Sequence, residues 1–403
     1  MVLGIIESQD FRGKQRLIPK TKTLTSTFTA FSGNNSFVYF MNTLTNQRNR
    51  TFRPANANDL AKLRKGKWSN YDEKSQEGVH LRGKPYKLRR GLTFTPFANP
   101  TPCNAHCGFC SEELQRKHQK NLTSKNIIKD HDRYFQALAA VFNDLRVVEN
   151  IGLSLSGLEA TSDPGWLLKL LDMLQQDNAP QFNEKVLYTN ATGLHNHPAL
   201  IDALQAAQFD RLEVSRCHYN DEVNQRVMYF NRNEPVHKNE VYEPLIRQIN
   251  PKVTVKNSCI LTQTGVNSVA EIERYLEWII GLGVTEVVFR ELSILDDTYV
   301  NNRTRQWTEQ NRVALDGLLA EIMPQLDQLR QHWAYQYTQA GYYYYNECFM
   351  YRNKVRVVLE TSSYNALISR NAQTIVQKLV FHSNGNLCGD WDPDNEVLAN
   401  YFG

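Results

Sequence analysis

The sequence predicts an α/β fold: a parallel (β/α)6 partial TIM-like barrel with a basic N-terminal extension and an α+β C-terminal extension. Three observations carry this. Short β-branched runs alternate with amphipathic helical stretches over residues 91–295, the texture of a parallel sheet with right-handed crossovers. Residues 1–90 lack that alternation and are rich in Asn, Thr, Lys and Arg. Residues 296–403 change to a long helical stretch followed by short strands and an Asn-Gly turn.

The elements follow in order. Leu92-Thr93-Phe94-Thr95-Pro96-Phe97 reads as a strand entering a cysteine-bearing loop, and Asn126 to Leu145 as a helix. Ile151 to Ser156 is a short buried strand; Pro164 to Leu174 is a helix opened by Asp163 and Pro164. Strands at Lys185–Thr189 and Arg211–Ser215 flank a helix from His197 to Ala207. A strand over Lys252–Leu261 precedes a helix over Ser268–Leu282, with Ser268 as N-cap and Glu271 completing a capping box. Gly283 stops that helix, and Glu286–Arg290 is the sixth strand. Beyond it, Thr304 to His332 reads as one long helix, with Pro324 as the place for a kink. Lys354–Leu359 and Lys378–Phe381 read as strands, and Ser383-Asn384-Gly385-Asn386 as a hairpin turn. The tail is expected to pack on the barrel as an extension. Three segments result: 1–90, 91–295 and 296–403.

Composition excludes some classes. The chain has 403 residues, 41% of them hydrophobic, enough for a sizeable core. There is no apolar run long enough to span a membrane and no basic region followed by a long apolar run at the start, so neither a membrane span nor a secretory signal is expected. Charge is uneven: 18 Lys and Arg stand against 6 Asp and Glu within residues 1–100, a local excess of +12 in a chain of net charge +4. Such a stretch either attracts an anionic partner or is a solvated surface or arm. The apolar patch Phe37-Val38-Tyr39-Phe40 within it assigns no fold.

Of seven cysteines, Cys103, Cys107 and Cys110 fall within eight residues; Cys217, Cys259, Cys348 and Cys388 are scattered. An odd number without a signal argues against a disulfide framework and for a reducing, cytoplasmic compartment. The spacing C-x3-C-x2-C gives three thiolates to one local metal site. Iron–sulfur clusters are held by thiolates, ordinarily four; three leave one iron of a four-iron cluster open to a small molecule. The competing readings are a zinc site completed by His106 or His118, which makes the chain a non-catalytic binding protein, and three unliganded core cysteines. Two tail cysteines forty residues apart are too few for a second cluster.

The loop Cys103-Asn-Ala-His-Cys107-Gly-Phe-Cys110 resembles the signature of the radical S-adenosylmethionine (SAM) superfamily. Phe109 matches the aromatic residue before the last cysteine, whose backbone contacts adenine in that family. Ser156-Gly157-Leu158-Glu159 is similar to the family's Gly-Gly-Glu, with Leu158 in place of the second glycine. Tyr188-Thr189-Asn190 resembles its Thr-Asn-Gly, with the glycine displaced to Gly193. Leu212 to Arg216 resembles the serine-containing fourth strand, which brings Ser215 and Arg216 toward the SAM ribose and carboxylate; Asn257 and Arg290 lie on the look-alikes of strands five and six. The resemblance covers residues 91–295 and thins in the tail. It implies a [4Fe–4S] cluster on Cys103, Cys107 and Cys110, and SAM held by Phe109, Gly157, Glu159, Asn190, Ser215, Arg216, Asn257 and Arg290. It also implies reductive cleavage of SAM to a 5′-deoxyadenosyl radical that takes hydrogen from a substrate, with electrons from a donor such as flavodoxin or ferredoxin.

Each residue has an ordinary alternative. Glu159 serves a helix start, Asn190 a turn, Arg216 an ion pair with Glu159 or Glu213, Asn257 buried backbone groups, and Arg290 a salt bridge. Cys217 and Cys259 read as buried thiols. No hydrogen-quenching or other catalytic side chain is assigned. Gly341 to Tyr345, with Asn346 and Glu347, either line an active-site mouth or form a plain strand; His382, Asp390, Trp391 and Asp392 flank the hairpin near Cys388. The substrate expected is a peptide or small natural-product precursor, with RNA or DNA drawn by the basic N-terminal stretch as the alternative.

Overall fold

The computed structural model describes residues 56–66, 76–97, 102–119, 127–325, 332–371 and 374–403. Contacts divide the chain into Met1–Arg48 and Asn49–Gly403, and everything described belongs to the second unit. The apolar patch at residues 37–40, most of the basic stretch, and the expected helix start at Asn126 lie outside the described residues.

Helix α1 (Ala57–Arg64) is capped by Asn56, whose side chain accepts from the Asp59 N–H. It buries Leu60 and Leu63 and anchors through Arg64, which donates two 2.8 Å bonds to Glu291. Strands β1 (Gln76–Leu81) and β2 (Lys84–Arg89) form an antiparallel hairpin. Arg82 and Gly83 both have positive φ, as the tight turn that matches strand twist requires. The segment before residue 91 therefore adds folded elements to the barrel region.

The six expected strands are present: β3 (Thr93–Pro96), β4 (Gly152–Leu155), β5 (Lys185–Thr189), β6 (Arg211–Ser215), β7 (Thr254–Ile260) and β8 (Glu286–Arg290). They pair in sequence order, all parallel. Between them run α2 (His131–Leu145), α3 (Pro164–Leu174), α4 (Thr192–Asn196), α5 (Ala199–Ala206), α6 (Asp221–Met228), α7 (Asn239–Ile249) and α8 (Val269–Gly281). Leu153, Leu155, Leu187, Leu212, Val255, Val287 and Phe289 are buried beneath these helices. Phe94 meets Phe142 of α2, and Phe289 meets Tyr275 of α8, at centroid distances of 6.1 and 5.3 Å. Alternation puts Ser154, Tyr188, Glu213, Lys256, Ser258 and Arg290 on the opposite, concave face. Buried parallel strands are commonly apolar on both faces; here the concave face is polar.

The tail departs from expectation twice. The single helix over Thr304–His332 is two, α9 (Arg303–Asn311) and α10 (Leu315–Gln325). Arg312 between them is extended (φ −64°, ψ 129°) because its guanidinium reaches back to Glu291 and the Leu292 carbonyl; residues 326–331 lie outside the described residues. The terminal strands do not pack on the barrel as an extension but continue its sheet at both edges. β9 (Trp333–Ala340), β10 (Tyr344–Tyr351) and β11 (Val355–Ser362) form a meander, with β11 parallel to β8. After α11 (Tyr364–Asn371), β12 (Ile375–Val376) joins β2, and β13 (Leu379–Phe381) pairs parallel to β3. β14 (Asn386–Cys388) and β15 (Val397–Asn400) complete that edge through the Asn-Gly turn, where Gly385 has φ +80°. The result is an open twelve-stranded sheet ending in β15 and β9. Without these additions, β3 and β8 would present rows of unpaired backbone groups. No helix among the described residues is long and apolar enough to cross a membrane.

Candidate functional site

The cysteine loop leaves the carboxyl end of β3, where ligands gather in parallel sheets. It is pinned to the end of α6 and the chain just after it. His106 N–H donates to Tyr229 O (2.9 Å), Gly108 N–H to Val227 O (3.1 Å), and Asn231 N–H to Asn104 O (3.0 Å), while Ala105 bridges Phe230. Within the loop, Cys110 N–H donates to Cys107 O at 3.1 Å. From the far side Trp307 of α9 covers Gly108 and packs on Phe109, ring centroids 6.3 Å apart. Neither segment 227–231 nor Trp307 was legible in the sequence as part of this site.

All three cysteines are free and half-buried. Burial, then the charge of Glu159, pushes the Cys103 thiol up to about 12. Burial, then Glu112, does the same to Cys110. Cys107 is raised well above its ordinary value by burial and then by Cys110, Cys217 and Cys103. The charged side chains acting most on the trio, Glu112, Glu113, Glu159 and Glu234, are all acidic. Thiols raised in this way become thiolates when a bound metal supplies the positive charge. Among the described residues no three His, Cys, Asp or Glu side chains are placed to share a single metal ion.

The strand ends around this loop place the other expected residues. Gly157 has φ +112°, and a Cβ there would lie 2.5 Å from the Phe97 ring, so the turn after β4 needs glycine on both counts. Glu159 is buried, and its carboxylate is fully engaged. Oε1 accepts from Thr161 N–H (3.3 Å), Thr161 Oγ1 (2.5 Å) and Thr189 Oγ1 (2.6 Å); Oε2 accepts from Asn190 N–H (2.6 Å). Burial nevertheless leaves its pKa above the ordinary value. Glu159 thus clamps the loop after β4 to the loop after β5. Asn190 reaches the cysteines directly: its Nδ2 donates to Asn104 Oδ1 (2.8 Å) and lies 3.9 Å from Cys103 Sγ. Ser215 ends β6, half-buried beside Ser258.

Three residues are held by other protein groups. Arg216 is 1% exposed and donates to the carbonyls of His218, Val236 and His237 and to Asp221 and Asn239. Those five bonds match its five N–H groups, so its ion pair is with Asp221, neither Glu159 nor Glu213. Asn257 faces the helices, donating to the hydroxyls of Tyr242 and Tyr275 at 3.1 Å each. Arg290 lies on the concave face, bonded to Glu360 (2.9 Å), Ser258 (2.9 Å) and Glu213.

No protein-family model and no curated sequence matches the chain. Solved structures do resemble it. Streptococcus suis SuiB bound to precursor peptide SuiA aligns at 12% identity and a TM-score of 0.46 over 78% of this chain and 63% of SuiB. SuiB bound to S-adenosylmethionine aligns at 13% and 0.43 over 94% and 69%. Coproporphyrinogen III oxidase (HemN) from Escherichia coli, a radical SAM enzyme, aligns at 16% and 0.41 over 61% and 54%. The chain thus spans less than two thirds of the SuiB length in the first alignment.

The tail cysteines are occupied locally. Cys348 is buried with Val288 and Val358, and Cys388 Sγ lies 3.5 Å from the Pro393 carbonyl. His382 and Trp391 sit against Phe97 at 5.7 and 6.2 Å, and Asp390 pairs with Arg116 at 3.0 Å. These contacts tie the terminal hairpin to the rim beside Gly157. Of the four tyrosines in the run, Tyr344 and Tyr345 open β10.

Proposed function

We propose that this chain is a radical SAM enzyme in which Cys103, Cys107 and Cys110 hold a [4Fe–4S] cluster and the fourth iron binds SAM. The observation that supports it is the placing of three thiols on one short loop at the carboxyl end of the central parallel strands. When bound, the cluster supplies the electron that cleaves SAM reductively to the radical that takes hydrogen from substrate. The protein's own part is binding, orientation and exclusion of water. Asn190 and Asn104 orient Cys103, Trp307 and Phe109 cover the loop, and the Glu159 clamp fixes the turn whose Gly157 permits close backbone approach. Ser215 is the residue at the rim of β6 available to SAM. The electron comes from a donor of the flavodoxin or ferredoxin type, and the substrate is a peptide or small natural-product precursor. Anaerobic, dithionite-reduced protein incubated with SAM should release 5′-deoxyadenosine and methionine, and Cys107→Ala should release neither. Wild-type protein that carries iron and forms no 5′-deoxyadenosine overturns the reading.

A further inference from the structure

The concave face holds a row of polar groups that the cysteine loop does not use. Arg290 of β8 pairs in register with Glu360 of β11, and Glu360 with Asn346 of β10. Residues paired across neighbouring strands project to the same face, and Phe289 beside Arg290 points to the helices, so the row faces inward. Arg290 spends three N–H groups on Glu360, Ser258 and Glu213, leaving two of its five for a carbonyl. At the other end the Asn346 side-chain oxygen is buried with no hydrogen-bond partner. Such an atom is costly unless something donates to it. The Arg290 guanidinium carbon stands over the Tyr188 ring, 6.0 Å from its centre.

We infer that the Arg290–Glu360–Asn346 row is a peptide-backbone subsite, Arg290 donating to a substrate carbonyl and Asn346 Oδ1 accepting from a substrate amide N–H. The row crosses two strand spacings, about 10 Å, the length of about three extended residues. Charge favours a peptide over a nucleic acid. Arg211, Lys256, Arg290 and Arg356 are answered by Glu184, Glu213, Glu360 and Glu286, so the face has no cationic surplus to hold a phosphate backbone. The assignment rests on the radical SAM reading for its role and names that enzyme's substrate class.

The test uses the full chain with its cluster reconstituted. Binding of N-acetyl-trialanine-amide, which offers backbone groups alone, is followed by saturation-transfer NMR, with its N-methylated form and uridine monophosphate as comparisons. Wild type should bind the amide peptide and neither comparison ligand. Asn346→Leu should weaken binding about tenfold, the factor that one lost hydrogen bond of about 1.4 kcal/mol gives. Asn346→Asp, which keeps an acceptor, should bind, with iron content reporting that both variants fold. Equal binding of the N-methylated peptide, undiminished binding by Asn346→Leu, or binding of the nucleotide alone overturns the subsite. Failure of the radical SAM reading shows separately, as wild-type protein that binds peptide yet forms no 5′-deoxyadenosine.

Discussion

Glu159→Gln separates a clamp from a ligand. The carboxylate takes four donors, three at Oε1 and one at Oε2. An amide in its place keeps its oxygen toward Thr161 and Thr189 and turns its NH2 onto the Asn190 N–H, two donors face to face in a buried pocket. Each buried donor left without an acceptor costs about 1–3 kcal/mol. Part of that is offset because burial already disfavours the charged carboxylate. The net expectation is a loss of about 2–4 kcal/mol, read as a lower urea midpoint of anaerobic, cluster-loaded protein at neutral pH. Where the variant stays folded, its SAM affinity should be close to wild type. An unchanged midpoint with SAM binding weakened about tenfold would refute the clamp and return Glu159 to the SAM amino group.

Glu213 should govern acid stability. Burial raises its pKa, but Arg290, Lys256 and Arg211 outweigh that and hold it at about 2, against an ordinary 4.5. An acid depressed in the folded state stabilises the fold above its ordinary pKa, and that contribution is lost as pH falls from 4.5 toward 2. At about 1.4 kcal/mol per tenfold change in proton affinity, the contribution is on the order of 3 kcal/mol. Glu213→Gln should therefore trail wild type in urea melts at pH 7 by more than at about pH 3; an equal gap at both contradicts this. Gly157→Ala combines a left-handed φ with a Cβ against Phe97 and should cost about 2–5 kcal/mol. In a Phe97→Ala background the cost should shrink, and an undiminished cost would show that the ring is not what the turn avoids.

The central architecture was legible because parallel strands and their helices declare themselves locally. Asp163 with Pro164, and Ser268 three residues before Glu271, set helix starts that the structure keeps. The cysteine loop was legible because its spacing is short-range. The edges were not, because β11 reaches β8 and β13 reaches β3 over about 70 and 285 residues, as the pairs Arg290–Glu360 and Phe94–Leu379 show, and nothing in a strand's own sequence names its partner. Direction was hidden for the same reason. Asn257 and Arg290 sit on neighbouring strands, yet one faces the helices and the other the concave side. The Trp307 cover was hidden because Trp307 meets Phe109 and Gly108 across about 200 residues of chain, and nothing local to either segment names the other.

The central claim is that three thiolates on one loop hold a four-iron cluster. Its most direct measurement is the metal and acid-labile sulfide content of anaerobically purified protein. The expected result is about four irons and four sulfides per chain, lost when Cys103, Cys107 and Cys110 are changed together to Ala and kept in Cys348→Ala and Cys388→Ala. One zinc per chain with no sulfide, or a cluster that survives loss of all three loop cysteines, would contradict the account.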